Sequence, residues 1–237
     1  MPSSHILLVG HGYLGAHLAE ELHRAGHSVV AMHRGEASRE SYSVVSGDVT
    51  SADSVRRAVA SFRPTAIVHC ASSGRGGAEA YRSIFLDGLD NLQTIFPGIP
   101  VVFTSSTSVY GQTDGSVVDE SSETLPGRDT GQILLAAEKR VRIGGGIALR
   151  LAGIYGPGRS VYLKQLLEGS AKIEDVEPSR FLNQIHRNDA AGAILHLLRT
   201  GIAAHRGGLY NVVDDSPVTQ RQCYEELAAF FDLPIPP

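Results

Sequence analysis

Apolar residues along this chain switch repeatedly between two periods. Ile6-Leu7-Leu8-Val9 is an unbroken apolar run of strand length, after which Leu14, Leu18 and Leu22 recur at helical spacing and stop at Gly26. Ser28-Val29-Val30-Ala31-Met32 and Val44-Val45-Ser46 read as further buried strands. Ser51 then N-caps a helix with Val55, Val59 and Phe62 on its inner face, and Pro64 breaks it. Thr65 to Ala71 predicts a fourth strand, and Phe85, Leu89, Leu92 and Phe96 a helix ending before Pro97. Pro100 to Ser106 predicts the fifth strand, which runs into Thr107-Ser108-Val109-Tyr110-Gly111.

Strands alternating with helices specify a parallel sheet covered on both faces and joined by right-handed crossovers. Beyond it the pattern predicts a helix over Gly131 to Glu138 and a strand over Ile147 to Leu151. A strand and helix start follow over Phe181 to Asp189, with Asn188 or Asp189 as N-cap. A helix over Ala190 to Leu198, a strand over Gly208 to Val213 and a last helix through Tyr224 and Phe231 complete the chain. The expected architecture is α/β, a Rossmann-type doubly wound parallel sheet. A dinucleotide-binding domain spans 1–150, and a small C-terminal substrate lobe, interleaved with it and not folding alone, spans 151–237.

Composition narrows the class only a little. With 237 residues, 42% hydrophobic and 19% charged, the chain can bury a real core, and a net charge of −4 gives no electrostatic footprint for nucleic acid. No apolar run approaches the roughly 20 residues that span a membrane, and the N-terminus lacks a signal-peptide pattern. Cys70 and Cys223 have neither disulfide nor zinc-like spacing, so no metal site is expected. Both read as buried thiols of a reducing compartment, and a cytoplasmic location is the simplest inference.

The chemistry begins where the first strand meets the first helix. Gly10-x-Gly12-x-x-Gly15 sits between them, with Tyr13 and Leu14 opening the helix. Gly10 permits the tight turn, Gly12 lets backbone approach a pyrophosphate, and Gly15 lets helix and strand pack closely. Free N–H groups and the dipole at the helix N-terminus would then hold the phosphates. The second strand runs into His33-Arg34 with no acid at that point. A carboxylate there would repel a 2′-phosphate, whereas a guanidinium can bind one, so Arg34 favours NADP over NAD unless it is a solvated loop arginine. In Gly47-Asp48-Val49, Asp48 either bonds the adenine amino group while Val49 packs on the ring, or caps a turn. Ala71 ends the fourth strand where backbone could pass along the cofactor. His69 reads as a core histidine or a functional base.

By this point the chain resembles the short-chain dehydrogenase/reductase superfamily, in its extended and atypical branches that include nucleotide-sugar epimerases and dehydratases. The resemblance rests on the glycine turn, Gly47-Asp48-Val49, His69-Cys70-Ala71, Ser105 to Gly111, Leu149 to Gly158 and Ile185 to Asp189. It implies hydride transfer between a nicotinamide and a carbinol or carbonyl carbon. In such proteins a Tyr handles the proton, a Lys four residues later lowers its pKa, and a Ser or Thr orients the substrate oxygen. Ser106 matches that serine, and Tyr155 lies in the loop the family places beside the nicotinamide. The Tyr-Lys pair itself is absent: Thr130 stands at the Tyr position and Leu134 at the Lys position, and no Tyr-x-x-x-Lys occurs anywhere.

A Tyr without its lysine stays protonated and can donate to a reduced carbonyl. Ser106 and Tyr110 are therefore the catalytic candidates, with the alternative that Ser106 bonds backbone and Tyr110 packs under its loop. The cofactor-binding set is Gly10, Gly12, Tyr13, Leu14, Gly15, Arg34, Asp48, Val49, Ala71 and Tyr155. The expected function is an NAD(P)-dependent reductase, epimerase or dehydratase acting on a small molecule without the Tyr-Lys pair. The alternatives are a non-redox isomerase or cyclase and a nucleotide-binding sensor. The expected partner is a small-molecule substrate, with no nucleic acid and no membrane. Homodimerisation through the two long helices flanking the sheet is common in the superfamily.

Overall fold

The computed structural model describes residues 4–39, 41–74, 76–176 and 179–237. Its first unit is β1 (His5–Val9), α1 (Tyr13–Arg24) and β2 (Ser28–His33), with β1 and β2 parallel and Ile6 opposite Val29. Alternation along β1 serves two cores. Ile6 and Leu8 face Leu14, Leu18 and Leu22 of α1, while Leu7 and Val9 belong to the core on the other face. α1 stops at Gly26, whose φ of +86° is the left-handed conformation a side chain would oppose. Gly26 N–H bonds the His23 carbonyl at 2.9 Å and His27 N–H the Leu22 carbonyl at 3.1 Å, which satisfies two orphan carbonyls in a Schellman motif.

The chain continues through β3 (Ser38–Arg39), β4 (Ser43–Ser46), α2 (Ala52–Ala58), β5 (Ala66–His69), α3 (Ala78–Arg82), α4 (Gly88–Ile95), β6 (Val101–Ser106), α5 (Asp129–Ile143) and β7 (Ile147–Leu151). Ser51 caps α2 by accepting from Ser54 N–H, as its position predicts. With β11 (Leu209–Val212) these strands form an eight-stranded sheet in the order β11-β7-β6-β5-β1-β2-β4-β3. Every pairing is parallel except β3 with β4, an edge that the apolar pattern does not announce. β1 pairs with β2 on one side and β5 on the other, so the winding reverses there and opens a crevice beyond the carboxyl ends.

α3 and α4 are joined by a π-helical turn over Ser83–Asp87. A widened turn frees a carbonyl from the regular ladder, and here the Ile84 carbonyl meets Nε2 of the fully buried His69 at 3.2 Å. Ile84 and Phe85 are thereby set at the crevice wall.

The C-terminal part adds β8 (Gly153–Tyr155), α6 (Val161–Leu167), β9 (Phe181–Leu182), β10 (Gln184–His186), α7 (Arg187–Thr200), β12 (Val218–Thr219) and α8 (Gln220–Phe231). α7 buries Ala190, Ala191, Ile194 and Leu197 in the same core as α1, and β11 returns to the edge of the main sheet beside β7. Only a small separate core remains, with Leu166, Ala171, Tyr224 and Ala228 between α6 and α8. α7 starts directly from β10, so its N-cap is His186, whose Nδ1 accepts from Asn188 N–H at 3.3 Å, rather than Asn188 or Asp189. Among the described residues no helix is long and apolar enough to cross a membrane, and no group of three His, Cys, Asp or Glu could hold a metal ion.

Candidate functional site

A cavity of about 630 Å³ lies in the crevice beyond β1, β2, β5 and β6. The three glycines of the β1–α1 turn do three different things. Gly10, at φ +103°, could not carry a Cβ because one would lie 2.5 Å from the Ala71 nitrogen. At Gly15 a Cβ would overlap the Gly10 carbonyl oxygen, so this glycine serves packing and lies outside the cavity wall. Gly12 differs from both: an ideal Cβ there meets nothing within 4 Å, so the space beside it is open. Gly12 is also the N-cap of α1, and no side chain caps that helix. The first-turn N–H groups therefore face a space that a phosphate-sized group can enter.

Beyond the turn, Tyr13, Leu14, Arg34, Asp48, Val49 and Ala71 all line the cavity, as do His11 and His33. The rings of His11 and His33 meet edge to face at 5.6 Å, and His11 Nε2 lies 2.8 Å from the Tyr42 hydroxyl. Oδ1 of Asp48 accepts from both the N–H and the hydroxyl of Thr50, at 2.9 and 2.8 Å, so this carboxylate ties its own turn. Val49 is held from behind, where Asn91 Nδ2 donates to its carbonyl at 2.9 Å.

The inner end is built from Cys70, Ser72, Thr104, Ser105, Ser106, Leu134, Leu151 and Ala152. Leu134, at the position where the resemblance expects a lysine, is a buried part of this wall. No cation stands where the family places one to favour a tyrosinate. Ser106 Oγ accepts from Ser108 N–H at 3.1 Å. Burial pushes the Cys70 thiol up to about 12, outweighing its bond with Thr104, so it stays a neutral thiol near pH 7. His69 is held down to about 4 chiefly by desolvation, opposed by its bond to Ile84. It is a neutral core ring packed against Phe85 and Phe103.

Tyr110 is not brought to Ser106. It lies outside the cavity wall, with its hydroxyl 2.8 Å from Asn211 Oδ1 and 2.9 Å from the Asp119 carbonyl. The same oxygen accepts from Arg150 Nη1 at 2.9 Å, and the guanidinium also lies 4.9 Å from the ring centroid. Arg150 is in turn bonded to Glu138, which accepts from Ser105 Oγ at 2.6 Å. Tyr155 turns away as well: its ring packs edge to face on His186 at 5.3 Å, and burial together with Asp214 raises its pKa. Arg159 from the same loop lines the cavity instead. Arg159, which from sequence is either a contact to an anionic substrate group or ordinary surface, stands at the wall, as do Leu134 and the π-turn residues Ile84 and Phe85. The resemblance marks Leu134 by putting it opposite a lysine, and nothing in the local pattern marks the π-turn.

An open Gly-x-Gly turn under an uncapped helix, at the switch point of a parallel sheet, defines a nucleotide-binding protein of the Rossmann class. The chain belongs to the NAD dependent epimerase/dehydratase family, which it matches over residues 6–212. A solved structure described as an NAD-dependent epimerase/dehydratase from Methylobacillus flagellatus is similar over 100% of this chain and 85% of that one, with a TM-score of 0.84 and 30% identity. UDP-glucose 4-epimerase from Thermus thermophilus, solved with NAD, shares the fold at a TM-score of 0.78 and 20% identity, over 98% of this chain and 85% of that one. Among curated relatives, protein YeeZ of Escherichia coli is 31% identical over 139 residues, 57% of this chain and 47% of that protein. The sterol-4-alpha-carboxylate 3-dehydrogenase erg26 of Schizosaccharomyces pombe is 27% identical over 198 residues, 73% of this chain and 55% of that protein. The chain thus spans about half the length of these two curated relatives.

Proposed function

We propose that this protein binds a nicotinamide dinucleotide, with NADP favoured over NAD, and reduces or isomerises a small molecule at a carbonyl carbon. The observation behind this reading is one continuous cavity, running from the open face of Gly12 to Ser106. The residues fit the cofactor: first-turn N–H groups of α1 for the diphosphate, Val49 beside an adenine, Arg34 for a 2′-phosphate, and Ala71 along the chain of the nucleotide. When bound, the nicotinamide supplies or accepts the hydride. Ser106 uses its hydroxyl as an acceptor within its own turn, which leaves the proton of that hydroxyl for a substrate oxygen. Tyr110 acts as a positioning residue that joins β6 to β7 and β11 through Arg150 and Asn211. Incubation with NADPH and a panel of small carbonyl compounds tests the proposal. Substrate-dependent loss of reduced-cofactor absorbance supports it, and no loss with any compound refutes the redox part.

Leu134 favours a second reading, in which the nucleotide is held without turning over, in a sensor or a non-redox enzyme. An apolar wall in place of the lysine removes the cation that would favour a tyrosinate base. Saturable nucleotide binding, with no cofactor oxidation or reduction under any condition, is the result this reading expects.

A further inference from the structure

Tyr13, the residue after the second glycine of the turn, reaches from α1 into the C-terminal part. Its hydroxyl donates to the Pro157 carbonyl at 3.1 Å. Pro157 and Gly158 are the central pair of a tight turn closed by reciprocal 2.9 Å bonds between Gly156 and Arg159. Gly158, at φ +72°, takes the left-handed conformation that the third position of a type II turn demands. That turn sets the Arg159 guanidinium over the Tyr13 ring, 5.3 Å from its centroid. Arg187, the first residue of α7, brings a second guanidinium within 5.0 Å of the same ring.

Two cations thus stand beside the positive end of α1. Neither belongs to an ion pair among the described residues. Nε of Arg187 is buried and has no hydrogen-bond partner. A ring face attracts a cation only weakly at an exposed site, too little to offset a buried unpaired N–H group and two like charges next to a helix dipole. An anion at this end of the cavity would relieve both cations: Arg159 lines the wall, and Arg187, which stands outside the wall, shares the Tyr13 ring with it.

We propose that Arg159 and Arg187, arranged around Tyr13, form a diphosphate clamp in which the C-terminal part grips the same group that the α1 backbone holds from the other side. The proposal rests on the reading that the cavity takes a nicotinamide dinucleotide. Tyr13 lies within the glycine turn, which favours the diphosphate of the cofactor over that of a substrate. Guanidinium groups bond phosphate oxygens in pairs, so the clamp ties the Gly156–Arg159 turn and α7 to the nucleotide. Binding the cofactor then draws the two parts of the chain together.

Calorimetric titration of the full chain with ADP-ribose, adenosine and uridine diphosphate tests this without any turnover. Arg159→Met, on an exposed turn, and Arg187→Met should each weaken ADP-ribose about tenfold or more and leave adenosine unchanged. The steep loss of ADP-ribose affinity with added salt should flatten in both variants. Should Arg187→Met fail to fold, Arg159→Met and the salt series decide alone. Unchanged ADP-ribose affinity in variants of a wild type that binds it overturns the clamp but not the cofactor reading. So does a loss confined to uridine diphosphate. A wild type that binds no adenine nucleotide removes the cofactor reading and the clamp together.

Discussion

The Arg150 guanidinium closes on the Glu138 carboxylate, with Nη2 donating to Oε2 at 2.8 Å and Nε to Oε1 at 3.1 Å and Oε2 at 3.2 Å, and both residues are buried. Ser105 from β6 and Tyr110 from the following loop add one bond each to the pair. A helix, two strands and a loop are thereby fastened beside the inner wall of the cavity. The network holds the Tyr110 hydroxyl outside the cavity wall, although Tyr110 follows Ser106 by only four residues.

Removing one member of a buried pair strands the other charge. Arg150→Met should destabilise the fold by about 3–5 kcal/mol, measured as a lowered urea midpoint. Combining it with Glu138→Leu should restore most of that loss, because two apolar side chains leave no unpaired charge. Tyr110→Phe should cost only about 1 kcal/mol and leave turnover of any accepted substrate unchanged, whereas a large fall in turnover alone would return Tyr110 to the chemistry.

The glycine turn separates binding from folding. Gly12→Ala places its methyl in open space at an allowed φ of −96°, so its melting temperature should match the wild type. Its affinity for NADPH should nevertheless fall at least about tenfold, as the methyl enters the phosphate space. Gly15→Ala should do the reverse, costing about 1–3 kcal/mol or more, because the methyl overlaps the Gly10 carbonyl oxygen. Equal effects on stability and affinity in both variants would mean that the cavity beside Gly12 is not where the nucleotide sits.

His69 makes stability pH-dependent. Its pKa falls from an ordinary 6.5 to about 4 in the folded state, chiefly by desolvation. The unfolded chain therefore binds a proton first as pH drops. The contribution of the buried neutral ring is complete above pH 6.5 and is lost as pH falls toward 4, a change of about 3 kcal/mol. Urea midpoints between pH 7 and 4 should show this decline, and His69→Leu should flatten it in that window even if its midpoint at pH 7 is lower.

Arg34→Ala should weaken NADPH roughly tenfold to a hundredfold, the worth of a charged hydrogen bond, while NADH binding changes little. An equal loss for both cofactors would assign Arg34 to general electrostatics. Ser106→Ala should lower kcat/KM for an accepted carbonyl compound about a hundredfold with nucleotide affinity unchanged.

Local sequence was enough for what local physics decides. The apolar run of β1, the helical spacing of Leu14, Leu18 and Leu22 and the stop at Gly26 each follow from which faces must be buried within a dozen residues. The glycine turn, the serine at Ser106 and the want of a Tyr-Lys pair were equally legible, since each is a matter of residue type and spacing. Tertiary structure decided the rest, through contacts between residues far apart in the chain. Tyr13 meets Pro157 across 144 positions and Tyr110 meets Asn211 across 101, pairings that leave no mark on either local pattern. Tyr110 turned to Arg150 because a buried guanidinium needs acceptors, and Leu134 reached the cavity wall because α5 lays that face on β6. The edge strand β3 and the return of β11 to the main sheet depend on hydrogen-bonding partners supplied from elsewhere in the fold. Side-chain period tells a strand which way to face, but not which neighbour it will find there.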